Sequence, residues 1–221
     1  MRYQKAIILQ NKQTMKYSIL LFRLMLLGIL GLGAGTAVAA TDITNIDKAT
    51  FAGGCFWCMV AAFDTQPGVV EVVAGYTGGH ILNPTYEEVS AGGTGHVEAI
   101  QVFYDSGKTS YSKLLDVFWH NIDPTVTDRQ FCDVGPEYRA EIFYHNEQQQ
   151  RLAEQSKADL ALSKPFKEPI VTKITAASTF YPAEEYHQYY YRKNPVRYSY
   201  YHYTCGRAQR LEELWGSAPE P

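Results

Sequence analysis

A strand that stops at two glycines and passes straight into a cysteine-bearing helix constrains this chain more than any other feature. Ala49-Thr50-Phe51-Ala52 is strand-like, Gly53-Gly54 ends it, and Cys55-Phe56-Trp57-Cys58 can run on as a helix to Phe63, stopping near Gln66-Pro67-Gly68. Cys55 then sits where unpaired backbone N–H groups and the helix dipole favour negative charge, so a lowered thiol pKa and raised reactivity are expected of it. Cys58 lies one turn further on the same face, within reach of a disulfide with little backbone movement.

The rest of the chain alternates strand and helix signals. Val69 to Tyr76 is rich in β-branched residues, and His96 to Tyr104 alternates apolar and polar at period two, the mark of a half-buried strand. A short helical turn is expected near Tyr86 to Ser90. A helix over 110–120 carries Leu114, Leu115, Val117 and Phe118 on one stripe. Residues 123–139 read as a polar, Pro-bearing loop, 141–144 and 170–174 as strands, and 145–163 as the clearest helix. Nine tyrosines fall between Tyr181 and Tyr203, and this aromatic stretch is expected to pack around the sheet edge and the mouth of a site. With no internal repeat or low-complexity linker, 41–221 reads as a single α+β domain: a mixed or antiparallel sheet with helices on one face.

Residues 1–40 hold five basic side chains and no acid, then an apolar run from Leu24 to Ala34 and small residues up to Ala40. This is the three-part pattern of a secretory signal peptide cleaved after Ala39 or Ala40; the alternatives are an uncleaved anchor and a true start at Met15. Export, with the bacterial periplasm as first choice, is the expectation. The remaining 181 residues carry 15 basic and 23 acidic groups, a net of −8, which argues against a nucleic-acid partner. Beyond residue 41 nothing is long and apolar enough to span a membrane.

Four cysteines, Cys55, Cys58, Cys132 and Cys205, all fall after the leader. An oxidising compartment allows disulfides, yet four are too few to build a scaffold. The Cys55/Cys58 pair could be a redox dithiol, a structural bridge or half a zinc site, and the zinc reading has no second close-spaced pair to complete it. A redox dithiol leads. Phe56 and Trp57 give it a hydrophobic wall suited to a small apolar group such as a methyl. A thioredoxin-type site would instead lead with Trp-Cys. The glycine runs at 78–79 and 92–95 lack the lysine and helix of a phosphate loop, so no nucleotide cofactor or metal is expected.

The run Phe51-Ala52-Gly53-Gly54-Cys55-Phe56-Trp57-Cys58 resembles the signature of the peptide methionine sulfoxide reductase A family. Further stretches agree with it: 75–79, 83–86, 94–99, 133–139 and 183–188. The resemblance implies a two-layer, ferredoxin-like α+β fold and thiol-based reduction of methionine-S-sulfoxide, free or in oxidised proteins. It makes Cys55 the nucleophile, Glu98 a protonated acid on the sulfoxide oxygen, Tyr86 and Tyr138 hydroxyl donors, Asp133 an ordering carboxylate, and Phe56 and Trp57 the methyl pocket. Taken alone, a glutamate in a period-two strand faces solvent more often than a pocket, and the tyrosines could be plain packing. His187 matches a family position without a derivable task. Proximity makes Cys58 the first candidate resolving thiol, Cys132 the second and Cys205 the third. A thioredoxin-like protein is the implied electron donor, and a monomer is expected. The competing readings are a general exported thiol-disulfide oxidoreductase using Cys55/Cys58, and a binding module with a structural bridge.

Overall fold

The computed structural model describes residues 45–216. The expected signal peptide, its cleavage point and the alternative start at Met15 lie outside them. In chain order come β1 (Ile46–Gly53), α1 (Phe56–Phe63), β2 (Val69–Thr77), α2 (Tyr86–Ser90), β3 (Val97–Asp105) and α3 (Tyr111–Trp119). Two short strands follow, β4 (Arg129–Gln130) and β5 (Asp133–Val134), then a 3-10 turn at Pro136–Tyr138, β6 (Ala140–Tyr144) and α4 (Glu147–Ser163). The chain closes with β7 (Lys173–Ala176), β8 (Tyr181–Pro182), a 3-10 turn at Glu185–His187, and α5 (Tyr190–Lys193), α6 (Pro195–Thr204) and α7 (Arg207–Trp215). No helix among the described residues is long and apolar enough to cross a membrane.

The main sheet has the order β7-β6-β1-β3-β2-β8. Its inner four strands are all antiparallel, and α1 and α3 are the crossovers of a split βαββαβ unit, so the α+β, ferredoxin-like expectation holds. β7 adds in parallel to β6. It begins at Lys173 and not at Ile170, because the N–H of Val171 is bonded to the carbonyl of Pro124 and cannot join the ladder.

Period-two patterning decides which side chains meet. Phe51 on β1 lies opposite Ile100 on β3 and Ile142 on β6, and all three are fully buried beneath α1 and α3. Phe51 stacks on Phe63 of α1 at 5.4 Å and on Phe118 of α3 at 5.2 Å between ring centroids. Burying each such ring contributes about 1.5–3 kcal/mol. The next residues along the strands point the other way: Ala52, Val97, Ala99 and Phe143 form a smaller cluster on the opposite face. Local caps set the helix starts. Ser110 accepts from the N–H of Lys113 and Asn146 from that of Gln149, which places the helices expected at 110–120 and 145–163 one or two residues inside those bounds.

Candidate active site

The site forms where β1 ends against β3. Gly54 has φ +79°, and a Cβ there would lie 2.5 Å from Cβ of Gln130, so only glycine makes the turn that brings Cys55 to the head of α1. Cys55 caps that helix without any side-chain cap bond. The first free N–H of the helix, on Phe56, donates instead to Oε2 of Glu98 at 2.9 Å.

Glu98 reaches this point because it shares strand parity with Ile100, Val102 and Tyr104. All four face the helical layer, and Glu98 is buried. Burial pushes its carboxyl up to about 8, against the Phe56 N–H that favours the charge, with Asp133 adding repulsion. At neutral pH the group therefore mostly carries a proton. The helix N-terminus holds the carboxyl in place without keeping it ionised.

Both thiols of the pair are buried, and they hydrogen-bond each other. Cys58 is pulled down to about 7, first by the hydrogen bond from Cys55 and also by the positive field of Arg207, against burial. Cys55 moves the other way: burial raises it, followed by its bond to Cys58 and the nearby Glu98 charge. The expectation of a lowered Cys55 thiol is thus corrected for the resting protein. The helix N–H expected to stabilise its thiolate is occupied by Glu98, and burial removes water from the sulfur.

Around this centre stand the expected hydroxyls. Tyr86 opens α2, where Thr85 and Glu88 form a capping box, and its N–H donates to Oε1 of Glu184 at 2.9 Å. Oε2 of Glu184 accepts from Tyr76 at 2.8 Å. Tyr138 ends the 3-10 turn before β6, braced by Arg139, which donates to Glu141 at 2.8 Å and to the carbonyl of Pro136 at 3.0 Å. Burial and then the Glu98 charge raise both phenols, Tyr86 to about 12, so both remain hydroxyl donors. The structure thus brings Cys55, Cys58, Glu98, Tyr86, Tyr138 and Asp133 into one electrostatic cluster.

Of the two aromatic residues expected to hold a methyl group, Phe56 is buried in the main core and Trp57 is half-buried against it. Trp57 stacks on Tyr190 at 3.7 Å and donates from Nε1 to Nδ1 of His187 at 2.9 Å. This gives His187 a definite task. With Nδ1 accepting, its proton sits on Nε2, which is buried and has no partner among the described residues, and burial lowers its tendency to charge. His96, beside Glu98 in the sequence, is structural: Nδ1 accepts from Gly79 and Nε2 reaches the carbonyl of Ile81 at 2.7 Å.

Cys132 and Cys205 are bonded to each other across 73 residues. The second and third candidate resolving thiols therefore carry no free thiol in this form. Asp133, next to the bridge, accepts from the hydroxyl of Tyr201 at 2.6 Å. Sequence reasoning expected the tyrosine stretch to pack around the sheet edge and the mouth of the site but did not single out Tyr198 and Tyr201, which neighbour Cys58 and Cys55 respectively. Their spacing of three residues places them on one helix face, a signal present in the sequence. Arg207 was missed as well. It is buried, donates to the carbonyls of Asn121 at 2.7 Å and Gly53 at 3.2 Å, and lies over the ring of Phe131.

Comparison with known proteins agrees with this geometry. Residues 47–219 match the family described as peptide methionine sulfoxide reductase. The chain is 56% identical over 171 residues to peptide methionine sulfoxide reductase MsrA of Listeria monocytogenes, covering 77% of this chain and 97% of that one. It is 57% identical over 169 residues to the MsrA of Bacillus subtilis, covering 76% and 96%. Among solved structures, reduced Mxr1 from Saccharomyces cerevisiae matches with a TM-score of 0.63 at 30% identity, over 68% of this chain and 87% of that one. Methionine sulfoxide reductase A of Corynebacterium diphtheriae matches with 0.61 at 30%, over 69% and 77%. A buried dithiol at a helix start, a carboxyl that keeps its proton and two phenol donors thus coincide with sequence and fold likeness along most of the chain, which belongs to the peptide methionine sulfoxide reductase family of oxidoreductases.

Proposed function

We propose that residues 41–221 act as one catalytic domain, an exported peptide-methionine (S)-S-oxide reductase working on free or protein-bound methionine sulfoxide. The observation that carries this reading is Glu98: a buried, largely protonated carboxyl fixed to the N–H next to the Cys55 nucleophile. It is thereby placed to protonate the sulfoxide oxygen as the thiol attacks.

The Cys55 thiolate attacks the sulfoxide sulfur while Glu98 gives its proton to the oxygen, which Tyr86 and Tyr138 stabilise by hydrogen bonding as its charge grows. Phe56 and Trp57 hold the methyl group. Oxygen passes to Cys55 as a sulfenic acid and methionine leaves. Cys58 then attacks the sulfenic sulfur, water departs, and a Cys55–Cys58 disulfide remains. Cys58 suits this step because it contacts Cys55 and is the more acidic of the two, whereas Cys132 and Cys205 are paired together. A thioredoxin-like dithiol protein returns the pair to the reduced state. The leader supports action outside the cytoplasm, in the periplasm, on exported proteins damaged by oxidation.

Reductant-dependent turnover of the separate S and R epimers of a methionine sulfoxide peptide tests the reading. The mature protein is expected to reduce only the S epimer and Cys55→Ser to reduce neither. Absence of turnover by the wild type under strong reductant would overturn it.

A further inference from the structure

We propose that Tyr201 is a further catalytic residue, a hydroxyl that carries the Cys55 proton to Asp133, and that the Cys132–Cys205 bridge is the clamp that sets it there. The inference rests on the reading of Cys55 as nucleophile. It starts from an imbalance: α6 has no buried residue, and Val196, Tyr200 and Tyr203 on it are exposed. Packing hardly fixes this helix, yet it brings Tyr198 and Tyr201 to the two buried thiols.

What fixes it is a small closed ring. Cys205 caps α6, and its N–H donates to the carbonyl of Tyr201 at 2.9 Å, one turn back. Cys205 is bonded to Cys132 with Cα atoms 4.9 Å apart, Cys132 adjoins Asp133, and Asp133 accepts from the Tyr201 hydroxyl at 2.6 Å. The bridge and this hydrogen bond are two parallel rungs between the same segments. The Tyr201 ring is held edge-on to Trp57 at 5.9 Å. Because the single Tyr201 proton points at Asp133, its oxygen can accept the S–H of Cys55.

Proton bookkeeping closes along this path. When Cys55 attacks, its proton moves to the Tyr201 oxygen while the Tyr201 proton moves to Oδ2 of Asp133, leaving a thiolate and a neutral acid. Cys58 is not needed as the acceptor and stays charged for its own attack. When it displaces the oxygen from the Cys55 sulfenic acid, Asp133 returns the proton through Tyr201 to the departing hydroxide. That step forms the S–S bond, breaks the S–O bond and releases water. No oxidant or reductant beyond the sulfoxide and the two thiols enters.

Tyr201→Phe keeps the ring beside Trp57 and removes the relay. Two readouts apply: the rate of a single turnover, and the pH dependence of Cys55 alkylation by iodoacetamide in a Cys58→Ser background, which needs no sulfoxide and so stands apart from the substrate assignment. Single turnover is expected to slow by about 100-fold with substrate affinity unchanged, and alkylation to require higher pH. An unchanged alkylation profile, or a loss confined to affinity, would overturn the relay. A Cys132→Ala/Cys205→Ala double variant is expected to shift alkylation the same way and to add little to Tyr201→Phe; no shift, or full additivity, would overturn the clamp. If that variant does not fold, Asp133→Asn, which cuts the path and leaves the bridge, is expected to be non-additive with Tyr201→Phe, and additivity would sink the relay.

Discussion

The sheet with its two crossover helices and the tyrosine-rich C-terminal segment contribute to one site by opposite means. In the first, apolar residues at period two lock β1 and β3 beneath α1 and α3, and the proposed catalytic groups ride on rigid elements: Cys55 at a helix start and Glu98 on the core face of a strand. In the second, no residue of α6 is fully buried, and a covalent bridge and polar contacts help to place the helix. The two cysteine pairs mirror this split. Cys55 and Cys58 are buried and free, while Cys132 and Cys205 lie nearer the surface and are bonded. The lesson is that the buried thiols and carboxyl sit where packing is tight, whereas the tyrosines beside them sit where packing is slighter and a cross-link supplements it.

This contrast can be broken at several points. Cys58→Ser is expected to give the largest effect: one equivalent of methionine per enzyme in a rapid-quench assay, a sulfenic acid trapped by dimedone, and no steady-state turnover with a protein dithiol. Full steady-state activity would return the resolving role to Cys132 or Cys205. Phe51→Ala, at the centre of the stacked rings, should lower stability by about 3–5 kcal/mol in urea denaturation. Removing the bridge with Cys132→Ala/Cys205→Ala should cost up to about 4 kcal/mol by the same measurement, given the 73-residue loop it closes. Trp57→Phe, which deletes the N–H donated to His187, should be the mildest, about 1 kcal/mol or a factor of about five in substrate affinity by titration of a Cys55→Ser protein.

The same contrast governs how much could be read from the residues. Period two in His96–Tyr104 placed β3 correctly, and its parity already put Glu98 on the face of Ile100 and Val102, although the general tendency of strand glutamates pointed outward. The glycines before Cys55 marked the strand-to-helix turn. Where periodicity was absent, reading stopped. The tyrosine stretch became a short strand, a 3-10 turn and two helices, the second of which is tied down by a disulfide, and a disulfide's partners are not encoded in local spacing. The Cys55 pKa was misjudged for a related reason: the helix N–H was visible in the sequence, but the Glu98 carboxyl that occupies it comes from 42 residues away.

The pH dependence of single-turnover sulfoxide reduction, in the wild type and in Glu98→Gln, tests the central claim most directly. Glu98 loses its proton near 8, so the wild-type rate should fall as the pH rises through about 8. In Glu98→Gln the falling limb should vanish and the rate at pH 7 should drop by at least about 100-fold. A wild-type rate that stays level well above pH 8, or a Glu98→Gln protein as fast as its parent, would contradict the account.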